Sequence, residues 1–114
     1  MLSDEDFERC AEEAIDSLPR ELREAMSNLA IVVEGEPPDG LPLLGLYQGV
    51  PLTRRTSAYA ATPPDKISIY RGPLERRFGA DPERLCERIR HVVLHEIAHH
   101  FGISDDRLRE LGRY

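Results

Sequence analysis

The chain has 114 residues, with 15 Lys and Arg against 21 Asp and Glu, for a formal net charge of −6. That length builds one small domain with one modest core, residues 1–114 taken together. The acidic balance argues against nucleic acid or an anionic membrane as partner, and no apolar run is long enough to span a bilayer. The first residues, Met1 to Asp6, are acidic and lack the basic and apolar regions of a signal peptide, so a cytoplasmic setting is expected. Ser3 caps a first helix whose Phe7, Cys10, Ala11, Ala14, Ile15 and Leu18 fall at helical spacing and form a core face. Cys10 and Cys86 stand far apart and lack metal-ligand spacing; reduced, packed thiols are expected rather than a bridge. Pro19 separates this helix from a short second one over Arg20 to Ser27.

Leu29 to Glu34 is β-branched and short, and reads as a buried strand. Pro37-Pro38-Asp39-Gly40 is turn chemistry. Leu43 to Tyr47 is a weaker strand, broken by Gly45 and closed by Gly49. Val50 to Pro64 is irregular; its Arg54 and Arg55 are read as solvated charges ahead of any substrate role. Lys66 to Tyr70 alternates as a strand does. Pro73 to Phe78 forms a short helix that Gly79 ends. Asp81 then caps a long helix with Pro82 at its first position. Leu85, Ile89, Val92, Val93 and Ile97 make that helix apolar over much of its circumference, hence central and largely buried. A last short helix covers Asp105 to Leu111, and the chain shows no repeat and no low-complexity tract.

Within the long helix stands His95-Glu96-Ile97-Ala98-His99, followed by Gly102 and Asp105. His95 and His99 lie one turn apart on one face, where both imidazoles can reach one zinc ion at about 2.0–2.1 Å. Glu96 sits about 100° further round the helix. It is poorly placed as a third ligand but well placed to hold a metal-bound water, the general-base position of a zinc hydrolase. Gly102 ends the helix and lets the chain turn back to offer Asp105 as the third ligand. Asp105 is equally a favoured N-cap for the next helix, and Ser104 and Asp106 are the fallbacks. A carboxylate leaves the metal less positive than a third imidazole does, which predicts weak hydrolysis or a higher pH optimum. Nickel, cobalt or iron suit the same donors.

His91 offers a rival pair with His95, but Val92 stands where the glutamate belongs, so His91 reads as a supporting or surface residue. His100 points away from the site face and reads as a capping or exposed histidine. Tyr47, Tyr59, Tyr70 and Tyr114 are candidates to donate to an oxyanion; the sequence does not choose among them, and packing is the simpler role for each.

The segment His95 to Asp106 resembles the short bacterial zincin-like proteins called minimal metallopeptidases, and so do Gly45 to Thr53 and Asp65 to Leu74. The resemblance implies a compact α+β zincin-like fold: a small mixed sheet packed on helices, with a central active-site helix. It implies one zinc ion on His95, His99 and Asp105, Glu96 as general base, and a peptide or protein substrate. In zincins the upper edge strand of the sheet pairs with an extended substrate. On this resemblance Lys66 to Tyr70 is either that edge or an ordinary inner strand. The larger metzincins carry His where Asp105 stands and a Met-containing turn beneath the metal. Met1 and Met26 both lie upstream, so this chain departs from them.

The leading expectation is therefore a monomeric zinc-dependent peptidase that binds neither nucleic acid nor membrane. The rival is a non-catalytic metal-binding or protein-interaction domain on the same fold, and a third reading is hydrolysis of a non-peptide amide.

Overall fold

Ser3 accepts a hydrogen bond from the Asp6 backbone N–H and starts α1 (Asp4–Asp16), whose first turn is acidic, as the helix dipole favours. In this computed structural model residues 2–26, 29–49 and 65–110 are described. After α2 (Arg20–Ala25) the chain enters β1 (Leu29–Glu34), turns through Pro38–Gly40, and forms β2 (Gly45–Gln48). Next come β3 (Asp65–Tyr70), α3 (Arg71–Phe78), the long α4 (Pro82–His100) and α5 (Asp105–Glu110). Among the described residues no helix is long and apolar enough to cross a membrane.

The sheet has the order β1-β3-β2, with β1 parallel and β2 antiparallel to β3. Of the two places open to Lys66–Tyr70, the structure assigns the inner one: β3 is the central strand, and β2 and β1 are the edges. β1 is consequently only half-buried along its length, against the expectation of a buried strand. A purely apolar run does not distinguish a central strand from an edge with one covered face. β3 takes the central place because Ile67, Ile69 and Tyr70 are buried and both its edges are paired. Ile67 and Ile69 meet Phe7, Cys10, Ala11 and Ala14 of α1 and Leu85, Ile89, Val93 and Ile97 of α4 in one core.

The thiol expectation is corrected. Cys10 and Cys86 form a disulfide between α1 and α4, with Cα atoms 5.4 Å apart, well inside the bridging range. A separation of 76 residues hides in the sequence what helix packing makes adjacent. Arg90 reinforces the same contact by reaching Glu13 at 2.8 Å. Because the bridge closes so long a loop, Cys86→Ser is expected to lower stability by about 2–5 kcal/mol. Urea unfolding of the wild type and the variant, each with and without reductant, checks this; midpoints that coincide without reductant contradict it.

Candidate metal centre and active-site cleft

Asp81 caps α4 by accepting from the Glu83 and Arg84 backbone N–H groups, with Pro82 at the first helical position. At the other end, Gly102 adopts φ 85°. Gly102 N–H donates to His99 C=O and Ile103 N–H donates to Ala98 C=O, both at 2.9 Å. These paired bonds satisfy the last carbonyls and reverse the chain beside the helix it has just left. Ser104, not Asp105, then caps α5, accepting from Arg107 N–H at 3.2 Å. Asp105 is thereby released from the capping role that the sequence left open to it.

The reversal carries Asp105 back to the histidines. Its Oδ1 lies 2.7 Å from His99 Nε2 and 3.2 Å from His95 Nε2. His95 and His99 meet edge to face, with ring centroids 4.8 Å apart. Glu96 is buried, and its Oε1 accepts from the Tyr47 backbone N–H at 3.1 Å and meets His99 Nδ1 at 3.2 Å. Ligand atoms of His95, Glu96 and His99 all lie within 4.8 Å of one another. Neither Ser104 nor Asp106 replaces Asp105 here: Ser104 is the cap and Asp106 pairs with Arg109.

The electrostatics follow from this geometry. The hydrogen bond to Glu96 raises the His99 pKa above that of an ordinary imidazole; burial opposes it and Asp105 adds to it. Burial pulls the Asp105 carboxyl upward, but the hydrogen bond to His99 and the charges of His99 and His95 outweigh it, leaving its pKa below the usual value. When His99 Nδ1–H donates to Glu96, Nε2 faces the Asp105 oxygen. That arrangement is stable only with a proton or a cation between them. Two imidazole nitrogens and one carboxylate oxygen converging at a partly open position are the donor set of a catalytic zinc site, so the residues fit the ion. Zinc must displace a proton that His99 holds more tightly than usual, so affinity is expected to rise with pH through that raised pKa. Calorimetric titration in two buffers of different ionisation enthalpy checks this; binding without proton release contradicts it.

The donors open into a cleft of about 440 Å³ bounded by Leu43 to Tyr47 on one side and by Arg88, His91, Val92 and His95 of α4 on the other. His91 lines the cleft, half-buried. The cleft exists because β2 approaches α4 closely at Gly45. A Cβ there falls 2.6 Å from Val92 Cγ1 and 3.4 Å from Glu96 Cγ. Gly45 therefore does not break the strand; it is what lets the strand lie against the helix.

The sequence reading of His100 is corrected. It is fully buried, not exposed, and its Nδ1 lies 3.0 Å from Asp65 Oδ2. The Tyr47 hydroxyl donates to the same oxygen. Asp65, itself 1% exposed, opens β3, so this buried group ties β2, β3 and the end of α4 together beside His99. Sequence reasoning missed Asp65 entirely; the one available signal was a carboxylate heading an otherwise apolar strand. Tyr47 is engaged here by its hydroxyl and by its backbone, and Tyr70 is buried in packing. Tyr59, Tyr114, Arg54 and Arg55 lie outside the described residues.

No curated protein matches the chain. Residues 23–113 match the family model described as zincin-like metallopeptidase, a span that holds both edges of the cleft, all three converging donors and Glu96. The chain therefore belongs to the zincin-like metallopeptidase family.

Proposed function

We propose that this protein is a zinc-dependent peptidase that hydrolyses peptide bonds in an extended segment laid along β2. The observation that carries this reading is the convergence of His95 Nε2, His99 Nε2 and Asp105 Oδ1 beside the buried Glu96 carboxylate. His95, His99 and Asp105 would hold one zinc ion, which would supply Lewis-acid polarisation of water and of the scissile carbonyl. Glu96, fixed by the Tyr47 backbone N–H, accepts the proton of the attacking water and returns it to the leaving amine. The outer edge of β2 bears no strand among the described residues, which suits main-chain pairing with a substrate. The Tyr47–Asp65–His100 group holds that edge in register with Glu96. The protein acts as a monomer.

The disulfide bears on the setting. A structural bridge persists in oxidising compartments and is rare in the cytosol, so it weighs against the cytoplasmic expectation. The test of function is incubation of zinc-loaded protein with a mixed peptide library across pH, read by mass spectrometry. New termini that disappear on chelation and return with zinc support the reading; an uncut library at every pH overturns it and leaves the non-catalytic metal-binding alternative.

A further inference from the structure

Phe78, at the end of α3, lies among three guanidinium groups: Arg77, Arg84 and Arg88 place Cζ 5.2, 5.6 and 5.0 Å from its ring centroid. The other arginines of α3 and α4 all meet carboxylates: Arg71 with Glu75, Arg76 with Glu36 and Arg90 with Glu13. Among the described residues Arg77, Arg84 and Arg88 have no such partner, and Arg88 Nε is buried without a hydrogen bond. In a chain of net charge −6, three guanidinium groups gather round one ring. The face of Phe78 offsets part of the mutual repulsion, and an anion would offset the rest.

Arg88 also lines the cleft, on the same side as His91 and His95. Two contacts set the direction of β2 along α4. Gly45 abuts Val92 and Tyr47 N–H meets Glu96, so β2 and α4 advance in the same sense. A peptide antiparallel to β2 runs the other way, its C-terminal side heading toward Arg88. Arg88 precedes His95 by seven residues, which is about 10 Å of helix and about three residues of extended chain.

We infer that Arg77, Arg84 and Arg88 form a docking site for a carboxylate carried two to three residues to the C-terminal side of the scissile bond, making acidic peptides the preferred substrates. The inference rests on the peptidase reading for the peptide's placement. The carboxylate comes either from an Asp or Glu side chain or from the substrate's own C-terminus.

Binding to the Glu96→Gln variant tests it without turnover. Fluorescently labelled peptides of otherwise neutral sequence carry a Glu pair near the C-terminus or the matching Gln pair, each with a free or an amidated terminus. Anisotropy is expected to show an acidic peptide binding at least about tenfold tighter than its neutral amidated counterpart. The advantage fades as salt rises to about 0.5 M. It is lost in Arg88→Gln and reduced in the Arg77→Gln/Arg84→Gln pair, whose exposed side chains leave folding undisturbed. An advantage that survives amidation of the Glu peptide assigns the site to side chains; one confined to free termini assigns it to the terminal carboxylate. Equal binding of all four peptides, an advantage indifferent to these variants, or tighter binding of a single-stranded oligonucleotide overturns the inference. Cleavage by the wild type without acidic preference removes the docking site and keeps the peptidase; acidic binding without any cleavage does the reverse.

Discussion

Glu96→Gln is expected to retain zinc and lower peptide turnover by about 10²–10⁴-fold, the range that removal of a positioned general base produces. The side chain is 6% exposed and accepts from the Tyr47 backbone N–H, so its position is set by the fold and not by substrate. Glutamine keeps the carbonyl oxygen that this bond needs and has nearly the same shape. What it loses is the ability to take a proton. The prediction is therefore a fall in kcat with little change in KM, in Tm or in zinc content. Parallel measurement of zinc by mass spectrometry, of stability by thermal unfolding and of rate on one cleaved peptide separates these. A variant that loses zinc, or one that cleaves at the wild-type rate, refutes the assigned role.

Asp65→Ala is expected to cost about 3–5 kcal/mol, because removing one partner of a buried pair strands the other. His100 and Asp65 are 0% and 1% exposed, and no solvent reaches the gap to replace the lost carboxylate. That loss is a large fraction of the stability of a domain this small. Replacing both partners with apolar residues, Asp65→Leu with His100→Phe, is expected to cost less than Asp65→Ala alone. Urea unfolding of the wild type, the single variants and the double variant measures the coupling, with an unchanged slope showing that the denatured state is comparable. A single variant within about 1 kcal/mol of wild type shows that the group carries ordinary packing only.

The difference between these two sites shows which parts of the molecule the sequence discloses. Ser3, Asp81-Pro82 and Gly102 act within a few residues of themselves, and the helices they bound lie where local chemistry puts them. His95, Glu96 and His99 are legible for the same reason, since one turn of helix sets their mutual placement. Asp105 was less legible because two local roles compete for it; Ser104 takes the cap, and only the folded chain shows that. The sheet order was hidden altogether. β1 is the more apolar of the two in sequence, yet β3 becomes central, because the order depends on pairing across more than thirty residues. The disulfide, the Asp65–His100 pair and the arginines around Phe78 are likewise products of packing between separate elements. Gly45 was misread because a glycine in a strand signals either a break or a close approach, and the helix that comes close lies far along the chain.

The most direct measurement of the central claim is anomalous diffraction at the zinc edge from crystals of the wild-type protein grown with saturating zinc. The account predicts one full-occupancy peak per chain, about 2.0–2.2 Å from His95 Nε2, His99 Nε2 and one Asp105 oxygen, with Glu96 outside that distance. No peak, or a peak elsewhere with Asp105 turned from the histidines, contradicts it.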